Sequence, residues 1–168
     1  MPRSALIIAV PEAEPLVGDW RERYDTARLG IPAHVTLLFP FVAAERLDDE
    51  IHEQLQELFA AQQAFSFSLT RLMDFPDETL WLAPEPAEPF RRLTELIFEK
   101  YPAYPPYEGI HDEVIPHLTV AVGGKALQEE IDTALTPHLP IETVAGEVTL
   151  LVEDESGHWR RGHGFPLG

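Results

Sequence analysis

His34-Val35-Thr36-Leu37 and His117-Leu118-Thr119-Val120 are two near-copies of one tetrapeptide, 83 positions apart in a chain of 168 residues. Each follows a proline closely, Pro32 before the first and Pro116 before the second. The separation is close to half the chain, so the pair points to two half-domains that each place the same strand at a shared centre. Side chains at i and i+2 of a strand share a face. His34 and Thr36 therefore project together while Val35 and Leu37 turn into the core, and His117 and Thr119 do the same over Leu118 and Val120. If the two strands present these faces to one groove, two imidazoles and two hydroxyls converge on it.

That set suits cleavage of a phosphodiester. A neutral imidazole takes a proton from a water or sugar hydroxyl, a protonated one gives a proton to the departing oxygen, and the hydroxyls hydrogen-bond the non-bridging phosphate oxygens. Histidine serves both tasks because its unperturbed pKa is about 6.5. The segments 31–42 and 114–124 contain no Asp, Glu, Lys or Arg. No carboxylate is at hand locally for a Ser-His-Asp triad or a facial metal triad, and the histidines lack the i, i+4 spacing of a helical metal pair. The expectation is chemistry without metal or cofactor. A single His-x-Thr in a strand is more often structural than catalytic; the repetition is what marks a site.

The rest of the chain alternates strands and helices. Ser4 to Val10 is an apolar run that suits a buried strand, and Leu16, Trp20, Tyr24 and Ala27 recur at helical spacing. His34 to Phe39 reads as a strand ended by Pro40, followed by a helix near residues 46–61. Phe67 and Leu69 alternate with Ser66, Ser68 and Thr70 in a half-buried strand, with Thr79 to Ala83 as its hairpin partner. A helix near 87–100, a strand from His117 to Val122, a helix through Leu127, Ile131 and Leu135, and a closing hairpin of Glu147 to Val152 with Trp159 to Phe165 complete the pattern. This predicts an α+β domain of mixed or antiparallel sheets around a central groove, with helices on the outer faces. Residues 101–116, with four prolines and three tyrosines, read as a long ordered loop leading into His117.

A chain of this length buries roughly 70% of its unfolded surface, so one domain spanning residues 1–168 is the expectation. There is no cysteine, which excludes disulfides, thiolate metal sites and a cysteine nucleophile. The N-terminal apolar run is too short for a membrane span, and the chain is read as a soluble, cytoplasmic monomer with no membrane partner. With 12 basic and 29 acidic residues, the surface should repel a long nucleic acid. Screening confines exposed charges to a reach of about 8 Å, so a local pocket still accepts one phosphate. A small phosphodiester or short RNA end is the expected partner.

The residues quoted above, with Phe39-Pro40-Phe41 after the first triplet, resemble the 2H phosphoesterase superfamily, which includes the 2′-5′ RNA ligase-like proteins and the cyclic phosphodiesterases. The resemblance extends loosely over nearly the whole chain. It implies a bilobal α+β fold with a pseudo-twofold axis, no metal, and hydrolysis of 2′,3′-cyclic phosphates or related cyclic nucleotides, sometimes with reversible 2′-5′ ligation of RNA ends. The family's histidines fall on His34 and His117 and its hydroxyl residues on Thr36 and Thr119. The acidic charge fits the ligase activity less well than the phosphodiesterase chemistry.

Phe41, Trp81 and Tyr107 are the candidate substrate-binding residues: Phe41 and Tyr107 as rim contacts, and Trp81 as a base-stacking ring in the groove or a core side chain. His111 is a candidate auxiliary group in the loop. His52 and His138 read as solvated. His158, His163, Arg160 and Arg161 form a cationic cluster on the last hairpin, read first as solvated and second as a phosphate contact. Two functional classes stay open besides the hydrolase: a 2′-5′ RNA ligase, and a noncatalytic nucleotide-binding module on the same fold.

Overall fold

The computed structural model describes residues 1–111 and 113–168. Its elements are β1 (Ser4–Ala9), α1 (Glu14–Tyr24), β2 (His34–Leu38), α2 (Asp49–Ala60), β3 (Phe65–Asp74), β4 (Thr79–Glu85), α3 (Glu88–Lys100), β5 (Leu118–Val122), α4 (Lys125–Leu135), β6 (Ile141–Ala145), β7 (Glu147–Glu153) and β8 (Trp159–Pro166), with short 3-10 turns between. The strands form two four-stranded sheets, in the orders β2-β1-β7-β8 and β5-β4-β3-β6, and every pairing is antiparallel. Of the two sheet types that the alternation allowed, only the antiparallel one occurs.

The triplet strands β2 and β5 are both edge strands, and they face each other across the junction of the sheets. The pseudo-twofold relation is visible in the connections. β1 leads through α1 to β2, and β4 leads through α3 to β5, each pair antiparallel neighbours. Each connecting helix packs on the triplet strand of the opposite sheet, α1 on β5 and α3 on β2. Thr94 of α3 makes the second crossing specific: its buried hydroxyl donates to the Leu37 carbonyl of β2 at 2.7 Å. An exposed edge strand is thereby covered and one of its acceptors satisfied.

One core runs through both sheets, with Val35 and Leu37 of β2 and Leu118 and Val120 of β5 all essentially inaccessible. Periodicity placed these four correctly because alternation along a half-buried strand has only one consistent register. β6 was not anticipated. Its alternation is real, but it is a five-residue edge strand in which only Ile141 and Ala145 are buried while Val144 is 61% exposed. The preceding helix α4 supplied the stronger apolar signal. Among the described residues, no helix is long and apolar enough to cross a membrane.

Candidate active site

The approach to His34 is built by α1. Its apolar residue Val17 shares a face with Arg21, and both side chains are buried, Arg21 to 1% exposure. The Arg21 guanidinium donates from Nη1 to the Ile31 carbonyl at 2.8 Å and from Nε to Asp25 Oδ2 at 3.0 Å. Glu14, two turns earlier, accepts from the Ala33 amide. Gly30 begins this stretch at φ +90°, where a Cβ would collide with the Trp159 carbonyl oxygen. Only glycine lets residues 30–33 lie this close to β8.

Each histidine is then fixed in the same way. His34 Nδ1 lies 2.7 Å from the Pro32 carbonyl oxygen, and His117 Nδ1 lies 2.7 Å from that of Ile115. A carbonyl has no proton to give, so Nδ1–H donates in both cases. Among the described residues neither Nε2 has a hydrogen-bond partner, which leaves it an acceptor when neutral and a donor when charged. His34 and Thr36 are half-buried and alternate with the buried Val35 and Leu37; His117 and Thr119 flank the buried Leu118. His117 itself precedes the first residue of β5.

Burial pushes the His34 imidazole down to about 4, with smaller pushes in the same direction from Arg21 and His117, against the Pro32 carbonyl. Burial also lowers His117, but there the Ile115 carbonyl, Asp25 and Asp77 all act in the opposite direction. The charge of His117 is among the groups that act on His34.

A cavity of about 670 Å³ opens over the second triplet, walled by His117, Thr119, Tyr107, Asp25, Asp77 and Phe75 among others. His34 and Thr36 are not on its wall. Tyr107 links them to it: its ring lines the cavity while its hydroxyl approaches that of Thr36. The loop carrying Tyr107 is tied to the end of β2 by a bond from the Tyr107 amide to the Phe39 carbonyl, 2.7 Å. His111 also lines the cavity, edge-on to Tyr107 at 5.7 Å.

Two of the three candidate substrate-binding residues lie elsewhere than on the cavity wall. Phe41 is no rim residue: it is 4% exposed and packs edge-to-face on Tyr101, ring centroids 5.2 Å apart. The chain turns at Pro40 and sends the ring into the core. Trp81 takes the core alternative. It lies opposite Thr119 in the β4–β5 ladder, is 7% exposed, and is covered by Phe75 stacked on it at 4.7 Å. The ring offered to the groove is Phe75, which also meets His117 edge-on at 5.1 Å. Its signal in the sequence was its place beside Pro76 in the β3–β4 turn. Arg21 and Asp25 were likewise missed; the available signal was a charged residue four positions after Val17 on the apolar face of a helix. On the last hairpin, Arg160 and Arg161 are exposed and Arg161 pairs with Glu147 at 2.6 Å, as the solvated reading expects. His52 is not free in solvent but half-buried against His163, with ring centroids 5.4 Å apart.

Comparison with known proteins gives the same architecture from end to end. The chain is 26% identical over 162 residues to a Geobacillus sp. (strain WCH70) protein with a provisional phosphoesterase name, covering 92% of this chain and 90% of that one. A similarly named Bacillus licheniformis protein is 24% identical over 163 residues, covering 92% of each. Among solved structures, E. coli LigT complexed with 3′-AMP aligns with a TM-score of 0.64 at 16% identity, covering 99% of both chains. The TT0787 protein of Thermus thermophilus aligns at 0.63 and 20% identity, covering 98% of this chain and 97% of that one. The family description "2′-5′ RNA ligase superfamily" matches residues 9–157, a span that holds both triplets, the Arg21–Asp25 pair and the cavity. The chain therefore belongs to the 2′-5′ RNA ligase superfamily, the 2H phosphoesterases.

Proposed function

We propose that this protein is a metal-independent cyclic phosphodiesterase that hydrolyses a 2′,3′-cyclic phosphate, or a related cyclic phosphodiester, of a nucleotide or short RNA end. The observation that carries this reading is the matched anchoring of the two imidazoles, each with Nδ1–H on a carbonyl two residues upstream and, among the described residues, no partner on Nε2. Recognition of a nucleotide alone needs no pair of oriented proton-transfer groups, so the pairing favours an enzyme over a noncatalytic binding module. In the reaction, one Nε2 accepts a proton from water as its oxygen attacks phosphorus. The other returns a proton to the sugar oxygen as the ring P–O bond breaks. Thr36 and Thr119 supply hydroxyls to the oxygens on which charge accumulates.

The cavity supports a substrate of nucleotide size. Its described walls carry no lysine or arginine, while Asp25, Asp77 and Glu113 are among them. A singly charged diester on a neutral body suits such walls better than a polyphosphate. Phe75 offers a ring face or edge to a base. That LigT has been solved with 3′-AMP and with ATP supports a small-nucleotide ligand for the same architecture.

The deciding assay offers the protein a panel of nucleoside 2′,3′- and 3′,5′-cyclic monophosphates and oligonucleotides with 2′,3′-cyclic ends, in EDTA. Turnover of a 2′,3′-cyclic phosphate is expected to be unchanged by the chelator. Among the described residues no three His, Asp or Glu side chains stand together as a metal site, and both histidines spend Nδ1 on a carbonyl. Activity lost in EDTA and restored by one divalent ion would overturn the metal-free mechanism. Long RNA is expected to bind weakly, because a formal charge of -17 leaves few phosphates neutralised. Filter binding or anisotropy with an unrelated long RNA at physiological salt checks this; tight, steeply salt-dependent binding would make the exposed Arg160 and Arg161 the first residues to test.

A further inference from the structure

We propose that the buried Arg21–Asp25 pair of α1 is a positioning device that divides the histidines into fixed roles, His34 as the general base and His117 as the general acid. The inference rests on the phosphodiesterase reading and adds an assignment that the likeness of the two triplets leaves open. In sequence and in Nδ1 anchoring the triplets are equivalent. Burial lowers both rings, and the charged groups around each act on top of it.

Those groups differ in sign. α1 follows β1 and packs on the opposite triplet strand, β5. Arg21 donates to the Ile31 carbonyl three residues before His34, and to Thr26 Oγ1 at 3.4 Å. Asp25, one turn further on, lines the cavity with His117. The charges acting on His34 are therefore cationic, the Arg21 guanidinium and the His117 ring when protonated. On His117 the acting charges are the carboxylates of Asp25, from α1, and Asp77, from the β3–β4 turn. Among the described residues, the loop also contributes Tyr107, His111 and Glu113 to the ionisable groups of the cavity wall. Arg21 and Asp25 are 1% and 10% exposed as side chains, so solvent screens this pair far less than a surface one.

The consequence for the chemistry follows from the sign. Burial and, in the same direction, the Arg21 charge disfavour a proton on His34, so its Nε2 stays an acceptor, ready to take the proton of an attacking water. The carboxylates that act on His117 oppose the lowering by burial, so of the two rings it is the one that keeps its proton to higher pH and serves, through Nε2, as donor to the leaving sugar oxygen. As the water oxygen bonds to phosphorus its proton passes to His34; as the ring P–O bond breaks, the freed oxygen takes the proton of His117. The product is a phosphomonoester with a free neighbouring hydroxyl. His34 ends with one proton more and His117 with one fewer, and exchange with solvent restores both.

Histidine C2–H titration by NMR, with signals assigned from His34→Gln and His117→Gln, tests the division directly. In the wild type, His34 is expected to titrate below His117. Asp25→Asn is expected to lower the His117 midpoint by at least about half a unit and to move His34 less. The alkaline limb of kcat/KM should shift by the same amount, with kcat at neutral pH down roughly 3- to 10-fold and KM little changed. Arg21→Lys keeps the charge but loses the two-pronged bond to Ile31 and Asp25; kcat should fall while His34 remains the lower of the two midpoints. A thymidine p-nitrophenyl phosphodiester, whose leaving group departs without a proton, separates the roles again. On it His117→Ala should recover most of its lost rate, and His34→Ala should not. His34 titrating above His117 in the wild type, an unmoved His117 in folded Asp25→Asn, or recovery by His34→Ala instead of His117→Ala each overturns the assignment. Should Asp25→Asn fail to fold, the wild-type order and the leaving-group pattern still decide it. If the wild type turns over no phosphodiester at all, the functional reading falls, and the order of the two midpoints still decides whether the pair polarises the histidines.

Discussion

Replacing His34 or His117 by alanine is expected to lower kcat by roughly 10²- to 10⁴-fold each, the range for loss of a positioned acid or base. The double variant should fall by less than the product, because groups that act as a unit are not additive. The fold should survive: both histidines are only half-buried, next to the buried Val35 and Leu118, and neither belongs to the core. Free-enzyme protonation adds a sharper expectation. With His34 pushed to about 4 and His117 also below the ordinary imidazole value, the kcat/KM profile should be bell-shaped with its maximum on the acid side of neutrality. In the complex, the bound phosphate anion favours both charged imidazoles, so the kcat profile should lie at higher pH. The limbs belong to the coupled pair and not to either ring alone. Stability needs its own control in this assay. His34 has a lower pKa folded than unfolded, so its contribution is complete above about 6.5 and is lost as the pH falls through that value toward about 4. Circular dichroism across the same range separates unfolding from the acid limb. A folded His→Ala protein that retains more than about a tenth of wild-type turnover, against the range expected for an acid or base, would sink the two-histidine mechanism.

How much of this was legible beforehand depends on what kind of force places each residue. The triplets were legible because alternation in a half-buried strand is a local, period-two property: burying Val35 and Leu37 leaves His34 and Thr36 no choice of face. The sheet pairing was legible only in class. Nothing local in β1 says that it lies between β2 and β7, whose sequence separation from it is set by the whole topology. β6 was lost because an edge strand buries one face weakly, and the strong helical repeat of Ile131 and Leu135 lay just before it. Phe41 and Trp81 show a different limit. Aromatic residues near a motif serve equally as core and as contact, and the choice is made by neighbours remote in sequence, Tyr101 for Phe41 and Phe75 for Trp81. Arg21 is the most instructive miss. A buried arginine needs several acceptors converging from separate segments, here Asp25, Thr26 and Ile31, and only the folded turn after α1 brings them together.

Thr36→Ala and Thr119→Ala are expected to cost on the order of 10- to 10³-fold in kcat, less than the histidines, because each removes one hydrogen bond to the developing charge. The two should not be equivalent, and the reason is Tyr107. The phenol of this half-buried residue approaches the Thr36 hydroxyl from a loop clamped to β2 through the Phe39 carbonyl, and Tyr107 forms part of the cavity wall. Tyr107 and Glu108 hold this approach at φ +50° and +57°, in the left-handed region that disfavours side chains. Thr36 thus has a second hydroxyl near its own, whereas Thr119 lies on the cavity wall directly across the ladder from Trp81. Tyr107→Phe should therefore reduce kcat by a smaller factor, about 2- to 10-fold, as expected for one neutral hydrogen bond. In a double-mutant cycle its effect should largely vanish in the Thr36→Ala background and persist in the Thr119→Ala background. Thr36→Ser, which keeps the hydroxyl, should restore most of the rate. Strict additivity of Tyr107→Phe with Thr36→Ala would show that the phenol does not act through that hydroxyl, and a Thr36→Ser protein as slow as Thr36→Ala would show that the hydroxyl itself is not what the reaction uses.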